Sequence, residues 1–131
     1  MQPRAFFRAS AAVLCALVFC VQSGCVLVAV GAAAGGTVAY VRGDLEATLP
    51  AGYERSLRAT QAGVRRMQYS LVSERSDAIS GQFIARTAMD KKIDVMVTKD
   101  GDATTLIRIR VGVFGDEKIS RALLDAIKAS L

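Results

Sequence analysis

Between Leu45 and Val111 apolar residues return at every second position in separate short runs, interrupted once by a stretch of helical spacing. Alternation of this kind places every apolar side chain of a run on one face of a strand, so it fixes which side can be buried. Leu45, Ala47 and Leu49 alternate with Glu46 and Thr48 and stop at Pro50, which predicts a short strand. Tyr53, Leu57, Thr60, Val64 and Met67 then recur three or four residues apart, which predicts an amphipathic helix over residues 52–67. Four more strands are expected over residues 68–75, 78–87, 92–98 and 104–114. Ser76-Asp77, Asp90-Lys91 and Asp100-Gly101-Asp102 supply the turns between them. A closing helix starts near Asp116, its expected N-cap, with Glu117 at the positive end of the dipole. Its apolar stripe is Ile119, Ala122, Leu123, Ala126, Ile127 and Ser130. The expected fold is α+β in the order β-α-β-β-β-β-α, an antiparallel sheet of about five strands with two helices on one face.

A one-residue slip in a strand pair would turn its core face to solvent, so apolar residues must align with apolar residues. This sets Tyr69 opposite Phe83, Ala85 opposite Val95, Val95 opposite Ile107 and Ile93 opposite Ile109. On the other face the same register puts Asp94 in a row between Arg86 and Arg108. The helices are expected to cover the face carrying Phe83, Val95, Val97, Ile107, Ile109 and Val111.

Upstream of these runs the chain reads differently. Arg4 and Arg8 precede an apolar stretch over residues 9–21, and small residues lead to Cys25 in Val21-Gln22-Ser23-Gly24-Cys25. That order of charge, apolar core and small residues is the pattern of a secretory signal. A Cys directly after Ser-Gly resembles a bacterial lipobox, in which the thiol receives a diacylglyceryl group; Gln22 departs from the aliphatic residue usual at its position. The expected organisation is a signal over residues 1–24, a lipidated Cys25 with a Gly/Ala-rich apolar tether over residues 25–42, and one domain over residues 43–131. One acyl chain anchors reversibly and two or more hold stably. Val26 stands where an Asp would resemble an inner-membrane retention signal, so the expected address is the inner leaflet of the outer membrane, facing the periplasm. The inner membrane is the alternative.

Cleavage before Cys25 leaves 107 of the 131 residues, enough for one domain. The other two cysteines, Cys15 and Cys20, leave with the leader, and the chain has no His. Arg4 and Arg8 belong to the leader too, so the net charge of +5 falls to about +3, too mild for a nucleic-acid protein. Without His or a free thiol, nucleophilic chemistry would rest on a Ser, Thr or Lys activated by another base. Neither Ser80 nor Thr105 has a sequence context for that role, so no enzyme activity, cofactor or metal is expected. Asp100-Gly101-Asp102 lacks the remaining ligands of a calcium loop and reads as a hairpin turn.

Arg55, Arg58, Arg65 and Arg66 fall within about 100° of arc on the first helix. They read either as a solvated face, partly neutralised through the Glu54 to Arg58 spacing, or as a contact for an anionic surface. In the segment from Arg110 to Glu117, Gly115 is expected to permit the strand-to-helix turn. Phe114 is expected to staple the helix start.

Residues 108–128, together with Gly24-Cys25, the small-residue tract and residues 43–49, are similar to a bacterial family of small proteins read as lipoproteins and classed only as a domain of unknown function. The resemblance spans nearly the whole chain and implies an envelope lipoprotein without catalytic residues. The element order also resembles helix-grip domains, including accessory lipoproteins of outer-membrane assembly, a likeness of fold alone. The expected role is a non-enzymatic, lipid-anchored envelope protein that works by contact with an envelope protein. The alternative is a periplasmic carrier holding an apolar ligand between sheet and helix. An internal cavity of several hundred Å³ distinguishes the two.

Overall fold

Six antiparallel strands lie in the order β1-β2-β6-β5-β4-β3, in a computed structural model that describes residues 37–131. In chain order these are β1 (Val38–Val41), β2 (Asp44–Leu49), α1 (Tyr53–Arg66), β3 (Ser70–Ser76), β4 (Ser80–Arg86), β5 (Lys92–Lys99), β6 (Thr105–Val111) and α2 (Glu117–Lys128). The leader, Cys25 and residues 26–36 of the expected tether lie outside the described residues.

The architecture is the expected α+β sheet with both helices on one face, enlarged by a strand. Val38–Val41 belong to the expected tether, because the tract before them is dominated by small residues. They pair with β2 instead, Val38 opposite Ala47 and Tyr40 opposite Leu45. Arg42 (φ 52°) and Gly43 (φ 89°) both adopt positive φ between the two strands, as a tight hairpin turn requires. Arginine is a poor advertisement for that conformation, so the turn carried little signal.

Alternation holds through the centre of the sheet. Leu45, Leu49, Phe83, Ile93, Val95, Val97, Ile107 and Ile109 are all buried on one face. α2 lies over β2 and β6, and α1 over β3, β4 and β5. The core stripe of α2 is Ser120, Leu123, Leu124, Ala126 and Ile127; Ala122 of the expected stripe is exposed, and Leu124 takes a buried place. Asp116 caps that helix as expected, its Oδ1 accepting the Ile119 amide at 3.1 Å.

The cross-strand register differs from expectation by two residues. Phe83, not Ala85, faces Val95; Val95 faces Ile109, and Ile93 faces Val111. The hairpin loop after Arg86 closes tightly, with the Thr87 amide on the Lys91 carbonyl at 3.0 Å and Asp90 on Thr87 at 2.9 Å. A slip of two leaves every side chain on its own face, so burial alone could not have fixed it. In β3 the register shifts between Leu71 and Ser73, so Glu74, not Tyr69, sits opposite Phe83. The expected row of Arg86, Asp94 and Arg108 therefore does not form. Asp94 lies opposite Arg110, while Arg86 pairs with Asp90 at 2.9 Å.

Candidate functional site

The helices leave one face of the sheet uncovered, as an antiparallel sheet allows. Two cross-sheet rows run over that face. Asp44, Arg110, Asp94 and Ile84 make the first; Glu46, Arg108, Met96, Gln82 and Arg75 make the second. Arg110 Nε donates to Asp44 Oδ1 at 2.6 Å, and Arg108 Nε donates to Glu46 Oε1 at 2.9 Å. Gln82 Nε2 reaches both Asp94 oxygens, at 3.0 and 3.2 Å. Lys92 Nζ lies 3.6 Å from Asp94 Oδ2.

These side chains enclose a hollow of about 210 Å³ lined by Asp44, Gln82, Asp94, Met96, Arg108 and Arg110. A second hollow of about 260 Å³, lined by Arg75, Ser76, Asp77, Ser80, Gln82 and Met96, adjoins it. Gln82 and Met96 line both, so a shallow trough crosses the face with a half-exposed methionine near its middle. Sequence reasoning did not find it. The signal was present: Asp44 and Glu46 alternate on one strand as Arg108 and Arg110 do on another, a complementary spacing that pairs only when the two strands are neighbours.

The four arginines of α1 are all exposed, two toward each end of the helix. Arg55 and Arg66 are separated by about 16 Å along the helix, at 1.5 Å per residue. Arg55 donates through Nε to the Leu131 backbone oxygen at 2.8 Å, with a second bond from the same guanidinium. Arg58 stays exposed beside a hollow of about 410 Å³ shared with Tyr53, Glu54, Lys99 and Asp102. Its expected ion pair with Glu54 does not form among the described residues. Arg65 and Arg66 are exposed at the opposite end of the helix.

That second end of the domain carries an unexpected feature. Phe114 does not staple α2; it is 92% exposed, and Val113 is 81% exposed. β6 stops at Val111 and Gly112 turns the chain at φ 71°, which throws both side chains outward. Their loop is nonetheless held. Gly43 (φ 89°) and Gly115 (φ 84°) touch backbone to backbone, and a Cβ on Gly115 would fall 2.3 Å from the Gly43 oxygen. The Arg110 guanidinium clamps the pair of loops, donating to the Arg42 carbonyl at 3.0 Å and the Val113 carbonyl at 3.3 Å.

Titration is perturbed at scattered points, each with a structural cause. The hydrogen bond from Arg110 holds the Asp44 carboxyl below its usual range. Asp77 is lowered by the backbone amides of Ile79 and Ser80, and Asp116 by the Ile119 amide and then Lys91. Burial pushes the Tyr53 and Tyr69 hydroxyls up. Ser80 and Thr105 spend their hydroxyls on Asp77 at 3.0 Å and on the Ala51 carbonyl at 2.8 Å. Among the described residues no helix is long and apolar enough to cross a membrane.

Fold and surface together define a small α+β domain with a buried apolar core on the helix side and an open, ion-paired sheet face. The chain belongs to the family described as Protein of unknown function (DUF3568), whose profile matches residues 8–130. No curated protein matches it.

Proposed function

We propose that this chain is a lipid-anchored protein of the bacterial cell envelope that acts by non-enzymatic protein–protein contact, as an accessory of an envelope complex. Acyl chains on Cys25 hold it to the inner leaflet of the outer membrane, by the sequence pattern around that residue. The observation that carries the contact role is the uncovered sheet face. Its trough of Asp44, Gln82, Asp94, Met96, Arg108 and Arg110 offers ordered charges of both signs around an apolar centre. Such a mixture suits a polar protein surface, with charge pairs selecting the partner and Met96 adapting to it.

The carrier reading has less support. Phe83, Ile107, Ile109 and Leu123 are fully buried between sheet and helices, where a carrier would keep its several hundred Å³. The hollows described above open on the outside of the domain.

A photo-crosslinking residue at Met96, in the intact membrane-bound protein, tests the contact role. The expected result is one dominant adduct, lost when Arg108→Glu breaks the Glu46 pair, and absent when the probe stands at Ala62, exposed on α1. Identical adducts from both positions, or none, would reject the role for this face. Intact-mass measurement of the native protein tests the anchor separately, and an unmodified Cys25 would reject it.

A further inference from the structure

The exposed apolar residues of this domain are not spread evenly. The β1–β2 turn, the β4–β5 turn and the β6–α2 loop all lie at one end of the sheet, since Asp44 faces Arg110 and Ile93 faces Val111 there. They present Val41, Met89, Val113 and Phe114, of which Met89 is 76% exposed. The amide of Gly112 on the Lys92 carbonyl at 2.7 Å and the Lys91–Asp116 pair at 3.2 Å tie the second turn to the loop. Clustered exposed apolar groups on a braced support mark an interaction site rather than chance exposure.

Charge is gathered at the same end. Arg42, Arg65, Arg66 and Lys118 are exposed there and have no carboxylate partner among the described residues. Arg65 and Arg66 reach it because α1 ends just before β3, whose first residue, Ser70, pairs with Arg86 beside the β4–β5 turn. An apolar tip that projects outward, rimmed by unpaired cations, fits a surface that is soft and apolar beneath an anionic layer. No complementary pocket is needed for that.

We infer that the Val113–Phe114 tip enters the interface of an anionic phospholipid bilayer, with Val41 and Met89 beside it and Arg42, Arg65, Arg66 and Lys118 at the headgroups. Aromatic and aliphatic side chains partition to that depth, and each basic residue near an anionic leaflet adds attraction. The inference does not depend on acylation of Cys25, which intact mass reads by itself. It also assigns to the membrane only one half of the α1 arginines, the pair at the Phe114 end.

The chain has no Trp, so Phe114→Trp places a single tryptophan at the tip, where the exposed site tolerates the change. Ile79→Trp is the control, 63% exposed at the far end of the sheet. The full-length variants are mixed with vesicles of phosphatidylethanolamine and phosphatidylglycerol, and flotation and emission are both read. Emission from Phe114→Trp should shift to the blue and be quenched by brominated acyl chains, while Ile79→Trp keeps its emission in water. Phosphatidylcholine vesicles should give a smaller shift. Replacing Arg42 and Lys118 together by Ala should weaken the tip response by about thirtyfold. Water-like emission from the tip while the protein floats with the vesicles overturns the inference, as does a failure to float or an equal shift at Ile79. A blue shift that grows with protein concentration without vesicles assigns the tip to a second copy of the chain and overturns it too.

Discussion

Replacing Gly63 by Ala should destabilise this domain, against the usual direction for a glycine inside a helix. Elsewhere the exchange would gain about 0.5–1 kcal/mol from backbone entropy and helix propensity. Gly63 is buried where α1 meets α2, and a Cβ there would lie 2.6 Å from Ile127 Cγ1, 3.0 Å from its amide nitrogen and 3.1 Å from its Cα. The Cγ1 atom belongs to a fully buried side chain, and the other two are backbone. Relief therefore requires α2 to lift from α1. Overpacking of this kind costs about 1–3 kcal/mol, which outweighs the propensity gain and leaves a net loss of about 1 kcal/mol. For a domain of this size that lowers the thermal midpoint by about 4–8 °C.

Thermal unfolding followed by circular dichroism measures the change. Ala62→Gly, one residue earlier and exposed, reports propensity alone and should cost about 0.5–1 kcal/mol. In an Ile127→Ala background the penalty of Gly63→Ala should shrink, since the closest atom is gone, and the cycle isolates that contact. A rise in midpoint for Gly63→Ala alone would refute the close helix packing.

Two further outcomes rest on single residues. The carboxyls of Asp44, Asp77 and Asp116 are all held below their ordinary value when folded, so the stability they contribute is present above pH ~4 and is lost as pH falls through their lowered values. The midpoint should drop as pH falls below ~4, and Asp77→Asn should start lower at neutral pH and fall less in acid; an unchanged slope contradicts the turn bonding. Ser120 Oγ is buried without a hydrogen-bond partner, so Ser120→Ala should leave the midpoint equal or raised, and a loss of several degrees in the same melt would show that the hydroxyl has a partner.

Faces are easier to read in this chain than positions. Alternation alone puts Phe83, Val95, Ile107 and Ile109 on the buried side, and Asp116 is legible as a cap from its residue type and the helical spacing after it. Register escaped because the core at Val95 accepts Phe83 or Ala85 equally as a neighbour on the same face. Hydrogen bonding in the five residues after Arg86 decided between them. β1 escaped because Val38 and Tyr40 come after a tract whose small residues conceal their alternation. Phe114 misled for another reason. An aromatic next to a helix start ordinarily packs on that helix, and only the contact of Gly115 with Gly43, two residues far apart in the chain, turns it away. The ion-paired trough needed β2 and β6 to be neighbours, which strand patterns do not state.

Arg110 joins the two surfaces. Its Nε binds Asp44 on the open face, while its other nitrogens hold the carbonyls beneath the tip. The tip is therefore fixed to the sheet and not hinged from it. If Phe114 meets a bilayer, the strands ending at that tip must rise away from the membrane. Met96 then stands about 13 Å up β5 from Lys92, at ~3.3 Å per residue. The trough faces sideways, toward a neighbour in the same membrane. Within the domain, the surface with apolar groups to bury and cations to place would set that posture.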